Sequence, residues 1–443
     1  MAESPGAAGP KPREPSLGPA FRKSDVASRR AQVLEVARRK GNTDAADWED
    51  HALGTDMDMI ELADVMVESA VGYLSLPMGI VRGVNVDGAD YDVPLATEEP
   101  SIIAAVNYTS RIVGKNGGFR TTAGPTITTG QLFLEKAYSQ DAIRRISEAE
   151  DRFRSASSEL LARMESRGGG WRGIDVKLLP ETRLLRLQFH LDVRDAMGAN
   201  IVNSVAEAIR PVAQEVAGGE CLMAILTNAS EQRVVTAEFS IPTSVLARAG
   251  RSGEEVARRI VLAGEVAQED DTRAVTHNKG IMNGITALAL ATGNDTRALE
   301  AAAHRYAASD GRYRGLTRYR IDDDRLVGRL ELPVALGTVG GAAGIHPTSR
   351  FSLALLGNPT ARELARVAGA IGLAQNLAAL FALVSEGIQQ GHMGLHANRV
   401  AWSAGARGSM RQAVVEGLKE SGIYTTLEAR RILDRLRKAG ESR

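Results

Sequence analysis

TITTGQLFLEKA, residues 126–137, reads as a strand, and together with the elements after it decides the fold. Asp141 to Arg167 is a long charged stretch with helical character, stopped by Gly168-Gly169-Gly170. Glycine is a poor helix former and a good terminator. Two strands, Ile174–Leu179 and Leu184–Val193, are predicted on either side of the turn Pro180-Glu181-Thr182. Ala196–Ala217 predicts a second helix and Cys221–Thr227 a last strand. The order β-α-β-β-α-β is that of the ferredoxin-like split βαβ unit. Segments on both sides have a different rhythm, so residues 126–228 are expected to be a domain inserted into a larger one.

The larger domain is expected over residues 21–125 and 229–388, and the fold class is α+β. Residues 21–75 read as helices with polar faces, after a tail of residues 1–20 whose Pro, Gly and charge predict disorder. IVRGVNVDGADYDVPLA alternates around Asp87-Gly88, a hairpin with a type I′ turn. EEPSIIAAVNYTSRIVG then turns helical. Beyond the insert, Arg233–Ile241 reads as a strand, and residues 252–268 and 295–308 as helices. Strands near Tyr313–Ile321 and Leu326–Leu336 pair across an acidic turn, and GTVGGAAGIHPTSR reads as a Gly-rich loop. A long helix starts at Ala361, and residues 389–443 form a polar helical flap. Val367 to Ile388 is apolar enough to resemble a membrane span, but Gln375, Asn376 and Glu386 are costly in lipid, so a buried central helix is expected.

The chain has 443 residues, 44% hydrophobic and 24% charged, which suits a globular protein of two or three domains. With 54 basic and 54 acidic residues it offers no global field for nucleic acid or an anionic membrane. The single cysteine, Cys221, excludes an intrachain disulfide and reads as a buried, inert thiol. The N-terminus lacks the apolar run of a signal peptide, so a cytoplasmic location is expected.

DTRAVTHNKGIMNGITALALATGND, residues 271–295, concentrates the chemistry. It places Lys279 beside a Gly-rich turn and ends in Asp295, with a mostly apolar, uncharged run between. Two charges at the ends of such a run are expected to face each other or a substrate. Lys279 reads either as a solvated loop residue or as a buried ammonium that stabilises an oxyanion. Asp295 suits a helix N-cap and also suits tuning of Lys279. Glu98 and Glu99 precede a proline and a helix, where acids complement the helix dipole. One of them, held protonated in a cleft, would be a general acid. His392 and His396 have an i, i+4 spacing, but the glutamate of a zinc motif and a third ligand are missing. No metal is therefore expected, and a histidine acting as an acid is the more chemical reading. Asp195-Ala196-Met197-Gly198-Ala199-Asn200 opens a helix with small residues, which lets a phosphate approach.

Nine segments, in order, resemble class II 3-hydroxy-3-methylglutaryl-coenzyme A reductase: FRKSDVASRR, VGYLSLPMGIV, PLATEEPSIIAA, DVRDAMGANIVN, RAVTHNKGIMNGI, ATGNDTRALE, LGTVGGAAGIHPTSR, GLAQNLAAL and EGIQQGHMGLHA. The resemblance runs from about Phe21 nearly to the end of the chain. It implies a four-electron, NAD(P)H-dependent interconversion of hydroxymethylglutaryl-CoA and mevalonate plus CoA, within isoprenoid metabolism. By position it assigns Glu99 to protonation of the aldehyde oxygen and Lys279 to stabilisation of the carbonyl oxyanion. Asp295 would couple to both, and His392, on the C-terminal flap, would protonate the departing CoA thiolate. Ser101, Arg273, Asn283 and Gln375 match substrate positions. Asp195, Met197, Gly198 and Asn200 match the cofactor motif, which makes residues 126–228 the nucleotide-binding domain. The resemblance further implies a homodimer with active sites shared between subunits, with higher oligomers left open.

Two departures stand out. Glu68-Ser69 replaces a Glu-Asn pair of the family. In SSELLARMESRGGG, members that prefer NADH carry an aspartate before the matching leucines, whereas this chain offers Ser157 or Ser158, or Leu161 without a gap, with Arg163 and Arg167 nearby. The expectation inclines to NADPH over NADH. Two rivals remain at this level: a catalytically silent acyl-CoA-binding paralogue, and an RNA-binding module built on the insert. The strands 174–179 and 221–227 lack the aromatics that the latter would use.

Overall fold

The computed structural model describes residues 20–40, 53–385, 387 and 397–441. Residues 1–19 of the proposed tail, and His392 and His396 with them, lie outside the described residues. The chain divides into two compact units, one up to Pro77 and one from Met78 on.

The first unit holds helices α1 (Val26–Lys40) and α2 (Met57–Met66), the latter capped by the Asp56 side chain on Met59 N. Arg30 donates to the carbonyls of Leu53, Gly54 and Val71 at 2.8–2.9 Å, and Arg29 pairs with Asp64. Helix ends at Met66, so the expected helical reach to residue 75 is too long.

In the second unit, β1 (Met78–Val86) and β2 (Ala89–Ala96) form the expected hairpin. Asp87 and Gly88 have φ of 51° and 87°, the two positive values that a type I′ turn demands. Helix α3 (Ser101–Gly114) comes next, then β3 (Arg120–Ala123).

The split βαβ elements are β4 (Ile127–Glu135), α4 (Gln140–Glu148), α5 (Glu150–Glu165), β5 (Gly170–Leu179), β6 (Leu184–Asp192), α6 (Ala199–Ala217) and β7 (Glu220–Thr227). The strand order is β5-β6-β4-β7, with every neighbour antiparallel. Strict alternation buries Leu132 and Leu134 of β4 and Leu185, Leu187 and Phe189 of β6 against Phe153, Val205 and Ile209 of the helices. The single helix expected from Asp141 to Arg167 is two helices. The chain leaves helical geometry at Ala149 (φ −97°, ψ 12°), which lets α4 bury Ile146 and α5 bury Phe153 in the same core.

A second four-stranded antiparallel sheet has the order β3-β8-β10-β9, with β8 (Val234–Pro242), β9 (Thr317–Asp322) and β10 (Arg325–Pro333). Helices α7 (Gly253–Glu269), α8 (Asp271–Ala291) and α9 (Thr296–Ala307) lie between β8 and β9 in sequence. The Gly-rich loop expected over 337–350 contains two short helices, α10 (Gly341–Ile345) and α11 (Pro347–Leu355). Pro347 takes the first helical position, where its missing N–H costs nothing.

Helix α12 (Ala361–Val384) is the only described helix long and apolar enough to cross a membrane, and 78% of its apolar window is buried in protein. It packs on α8. A β-carbon on Gly284 of α8 would lie 2.8 Å from Ile371 Cγ2, and one on Gly372 of α12 would lie 2.8 Å from Ile285 Cδ1. The glycines of NKGIMNG therefore do not make a turn; they sit inside α8, and Gly284 lets two helices approach closely. Beyond residue 396, a helical stretch over 397–403 and helices α13 (Gly408–Ser421) and α14 (Thr426–Glu441) share a core of their own, with Ala401, Val414, Leu418 and Leu433 at its centre.

Candidate active site

A cavity of about 540 Å³ is lined by Glu99, Ser101, Arg273, Lys279, Asn283 and Gln375, among others. Three elements place these groups. Glu99 and Ser101 sit at the start of α3. Spacings of three and four put Arg273, Thr276, Lys279 and Asn283 along one face of α8. Gln375 comes from the middle of α12.

Lys279 Nζ lies 3.4 Å from Glu99 Oε2. Ser101 Oγ donates to Glu99 Oε1 at 3.2 Å, and Glu99 N donates to Thr97 Oγ1 at 3.2 Å. The carboxylate is thus fixed from two sides. Lys279 is not the buried ammonium expected from its apolar neighbours, because its side chain is 63% exposed. Ile281, Met282, Ile285 and Leu288 turn to the opposite side of α8 and bury there. Gln375 is only 6% exposed, and its Oε1 has no hydrogen-bond partner. A buried amide left open in this way is ready for a ligand.

Behind this wall, Thr317 and Tyr319 both donate to Asn376 Oδ1, at 2.9 and 2.7 Å. Since the Thr317 hydroxyl proton points to Asn376, its oxygen accepts from His277 Nε2, which fixes the tautomer. Burial pushes the His277 pKa down to about 4, with Arg273 adding to the effect. The histidine is neutral and stiffens the back of the cavity.

Asp295 is elsewhere. Its side chain caps α9 by accepting from Arg297 N and Ala298 N at 3.0 and 3.1 Å. It lines a different cavity of about 520 Å³, together with Met197, Gly198, Asn200, Arg163 and Arg167. Asp295 and Lys279 do not face each other within the chain.

This second cavity has one feature suited to a phosphate group. Gly198 opens α6 at φ 99° with no side-chain cap, which leaves the first amides of a 19-residue helix open to phosphate. Close packing also needs this glycine, since a β-carbon there would come within 2.7 Å of Val193. Asp195 does not serve as a free ligand here. Its Oδ1 accepts from Ala361 N at 2.9 Å, and its carbonyl accepts from Thr338 N at 2.8 Å. It anchors the DAMGAN turn to the start of α12.

Two residues that the motifs do not single out support these cavities. His277 falls on the apolar stripe Ala274, His277, Ile281, Ile285, whose helical spacing is the signal that marks it as buried. Arg233 holds the Met197 and Leu336 carbonyls at 3.2 and 2.6 Å, and desolvation pushes its pKa down to about 10. No sequence pattern marks Arg233, because its partners are carbonyls far along the chain.

A family profile described as hydroxymethylglutaryl-coenzyme A reductase matches residues 26–397. The chain belongs to this family. Hydroxymethylglutaryl-coenzyme A reductases are oxidoreductases, and curated members align over most of the chain. The protein of Archaeoglobus fulgidus is 40% identical over 423 residues, covering 95% of this chain and 94% of its own. A probable reductase of Borreliella burgdorferi is 36% identical and covers 76% and 77%. The solved reductase of Streptococcus pneumoniae is 39% identical, with a TM-score of 0.73 over 94% of this chain and 99% of that one. A class II reductase structure from the same organism, bound to NADPH in open conformations, gives 0.72 over 93% and 98%.

Proposed function

We propose that this chain interconverts 3-hydroxy-3-methylglutaryl-CoA and mevalonate plus CoA, using two equivalents of nicotinamide cofactor per thioester. The observation that carries the reading is the Glu99–Lys279 pair inside a cavity that also presents Ser101, Arg273, Asn283 and Gln375. When bound, the reduced nicotinamide supplies the hydride. Lys279 offers a fixed positive charge to the oxygen on which negative charge develops. Glu99, oriented by Ser101 and Lys279, stands where a proton can reach the same oxygen. Arg273 is suited to the terminal carboxylate of the substrate. His392, by the resemblance, protonates the departing thiolate, which is a poor leaving group until it is neutralised.

The division of labour is part of the proposal. Residues 126–228 hold the nucleotide through Met197, Gly198 and Asn200, with Asp195 fixing the turn that carries them, and residues 389–443 act as the flap. The active unit is a homodimer in which Asp295 of one subunit completes the Glu99–Lys279 cavity of its partner. Support comes from the placement of these groups in separate cavities of one chain. NADPH is preferred, supported by Arg163 and Arg167 on the wall of the nucleotide cavity. The lone buried Cys221 is at home in the cytoplasm.

The test monitors nicotinamide absorbance with hydroxymethylglutaryl-CoA, NADPH and NADH in parallel. Two equivalents oxidised per thioester, faster with NADPH, is the expected result. No oxidation by folded protein would favour a silent acyl-CoA binder.

A further inference from the structure

A third cavity, about 450 Å³, adjoins the nucleotide cavity and shares Arg167, Ala196 and Val339 with it. Four guanidinium groups line it. Arg167 comes just after α5, Arg194 just after β6, and Arg362 and Arg366 lie in the first turns of α12. Two carboxylates share the wall, and both are already engaged. Glu363 accepts from Thr360 N and Thr360 Oγ1 at 2.7 and 2.8 Å, and Asp195 Oδ1 accepts from Ala361 N at 2.9 Å.

The arginines are poorly compensated. Among the described residues, Arg167 and Arg362 bond only to backbone carbonyls, those of Arg163 and Ala123. Arg194 donates to the Arg167 carbonyl and stands 3.8 Å from Asp192, which Arg172 holds more closely at 3.1 Å. Arg366 reaches Asp87 only at 4.0 Å, and its Nε is buried with no partner. Four guanidinium groups face two carboxylates on this wall, Glu363 offsetting Arg366 in part, so a further anion among them relieves the remaining repulsion. The start of α12 adds the positive end of its dipole. Arg194 also holds a left-handed backbone, φ 54°, which disfavours any residue with a β-carbon. Such a conformation persists where the surroundings over-determine it.

We infer that this cavity is a binding site for a phosphate group, held by the forked donors of Arg167, Arg194, Arg362 and Arg366. Planar guanidinium groups match phosphate oxygens in pairs. The phosphate belongs either to the adenosine end of NADPH, entering past the shared Arg167, or to a separate phosphate monoester. The site is distinct from the thioester cavity, and its test needs no turnover.

Inorganic phosphate is titrated calorimetrically into the full-length protein without cofactor, at ionic strength held constant with potassium chloride. Saturable binding is expected, weakened by about tenfold or more when Arg362→Ala and Arg366→Ala are combined. Arg362→Gln alone, which loses only one bond to a carbonyl, should weaken it too and stands in if the double variant does not fold. Adenosine 2′,5′-bisphosphate and 5′-AMP then identify the source. Selective loss of bisphosphate affinity in the variants assigns the site to the cofactor. Loss for inorganic phosphate alone assigns it to a separate ligand. No saturable binding, or equal affinity in folded wild type and variants, overturns the inference.

Discussion

Lys279 and Asp295 are carried by one helix and the turn after it, and they look into different cavities. From Lys279 to the last residue of α8, Ala291, the backbone rises about 18 Å, twelve residues at 1.5 Å each. No rotamer of either side chain spans that gap. Glu99, by contrast, lies 180 positions before Lys279 and touches it at 3.4 Å.

If a site draws Lys279 from one subunit and Asp295 from another, two dead variants should rescue each other. Asp295→Asn keeps the cap on α9, because asparagine caps as well as aspartate. Equal mixing of Lys279→Ala and Asp295→Asn chains, with subunit exchange, should restore about a quarter of the wild-type rate: half of the dimers are mixed, each with one intact site of two. A mixture as inactive as its components would place both groups' action within one chain.

Lys279→Ala should leave the fold in place, since the side chain is mostly exposed and exposed substitutions shift stability by about 0.5 kcal/mol or less. Turnover should fall by about 10²–10³, the usual cost of losing one oxyanion-stabilising group. Rate and thermal melting of the same preparation check both halves. A folded variant with near-normal rate would remove Lys279 from the chemistry.

Neutral His277 carries an acid sensitivity. Its folded pKa is about 4, while the unfolded chain binds the same proton near 6.5. Above about pH 6.5 neither state is protonated and nothing is lost. As pH falls from about 6.5 to about 4, the unfolded state takes up a proton that the folded state refuses, so stability drops by about 3 kcal/mol and then levels off. Urea unfolding across that window should slope more steeply for the wild type than for His277→Gln. Equal slopes would contradict the burial argument.

Two glycines of α8 should respond in opposite directions. Gly284→Val drives a side chain into Ile371 and should cost about 1–3 kcal/mol by overpacking. Gly280→Ala meets nothing within 4 Å and should gain up to about 1 kcal/mol of helix propensity. Melting temperatures of the two variants, moving down and up respectively, check the pair.

Local chemistry was legible wherever a residue has one cheap use. Asp87-Gly88 marked its turn, alternation in β4 and β6 marked the buried face, and Asp295 marked a helix start. The resemblance put Glu99 and Lys279 in one reaction, and the two meet across 180 positions. The features that stayed hidden depend on tertiary neighbours. The break at Ala149 has no glycine or proline to announce it and arises from two helices sharing one core. Gly284 inside α8 looked like part of a turn because the helix that presses on it, α12, is distant in sequence. The exposure of Lys279 and its separation from Asp295 could not be read either, since spacing in a sequence does not say how many chains complete a site.

Helix α8, 21 residues long, is in effect a ruler that no single chain can shorten. If, as proposed, the groups near its middle and just past its end act together only across two paired chains, specific activity becomes a function of protein abundance. Dilution below the pairing constant would then silence the catalyst, and raising its concentration would restore it.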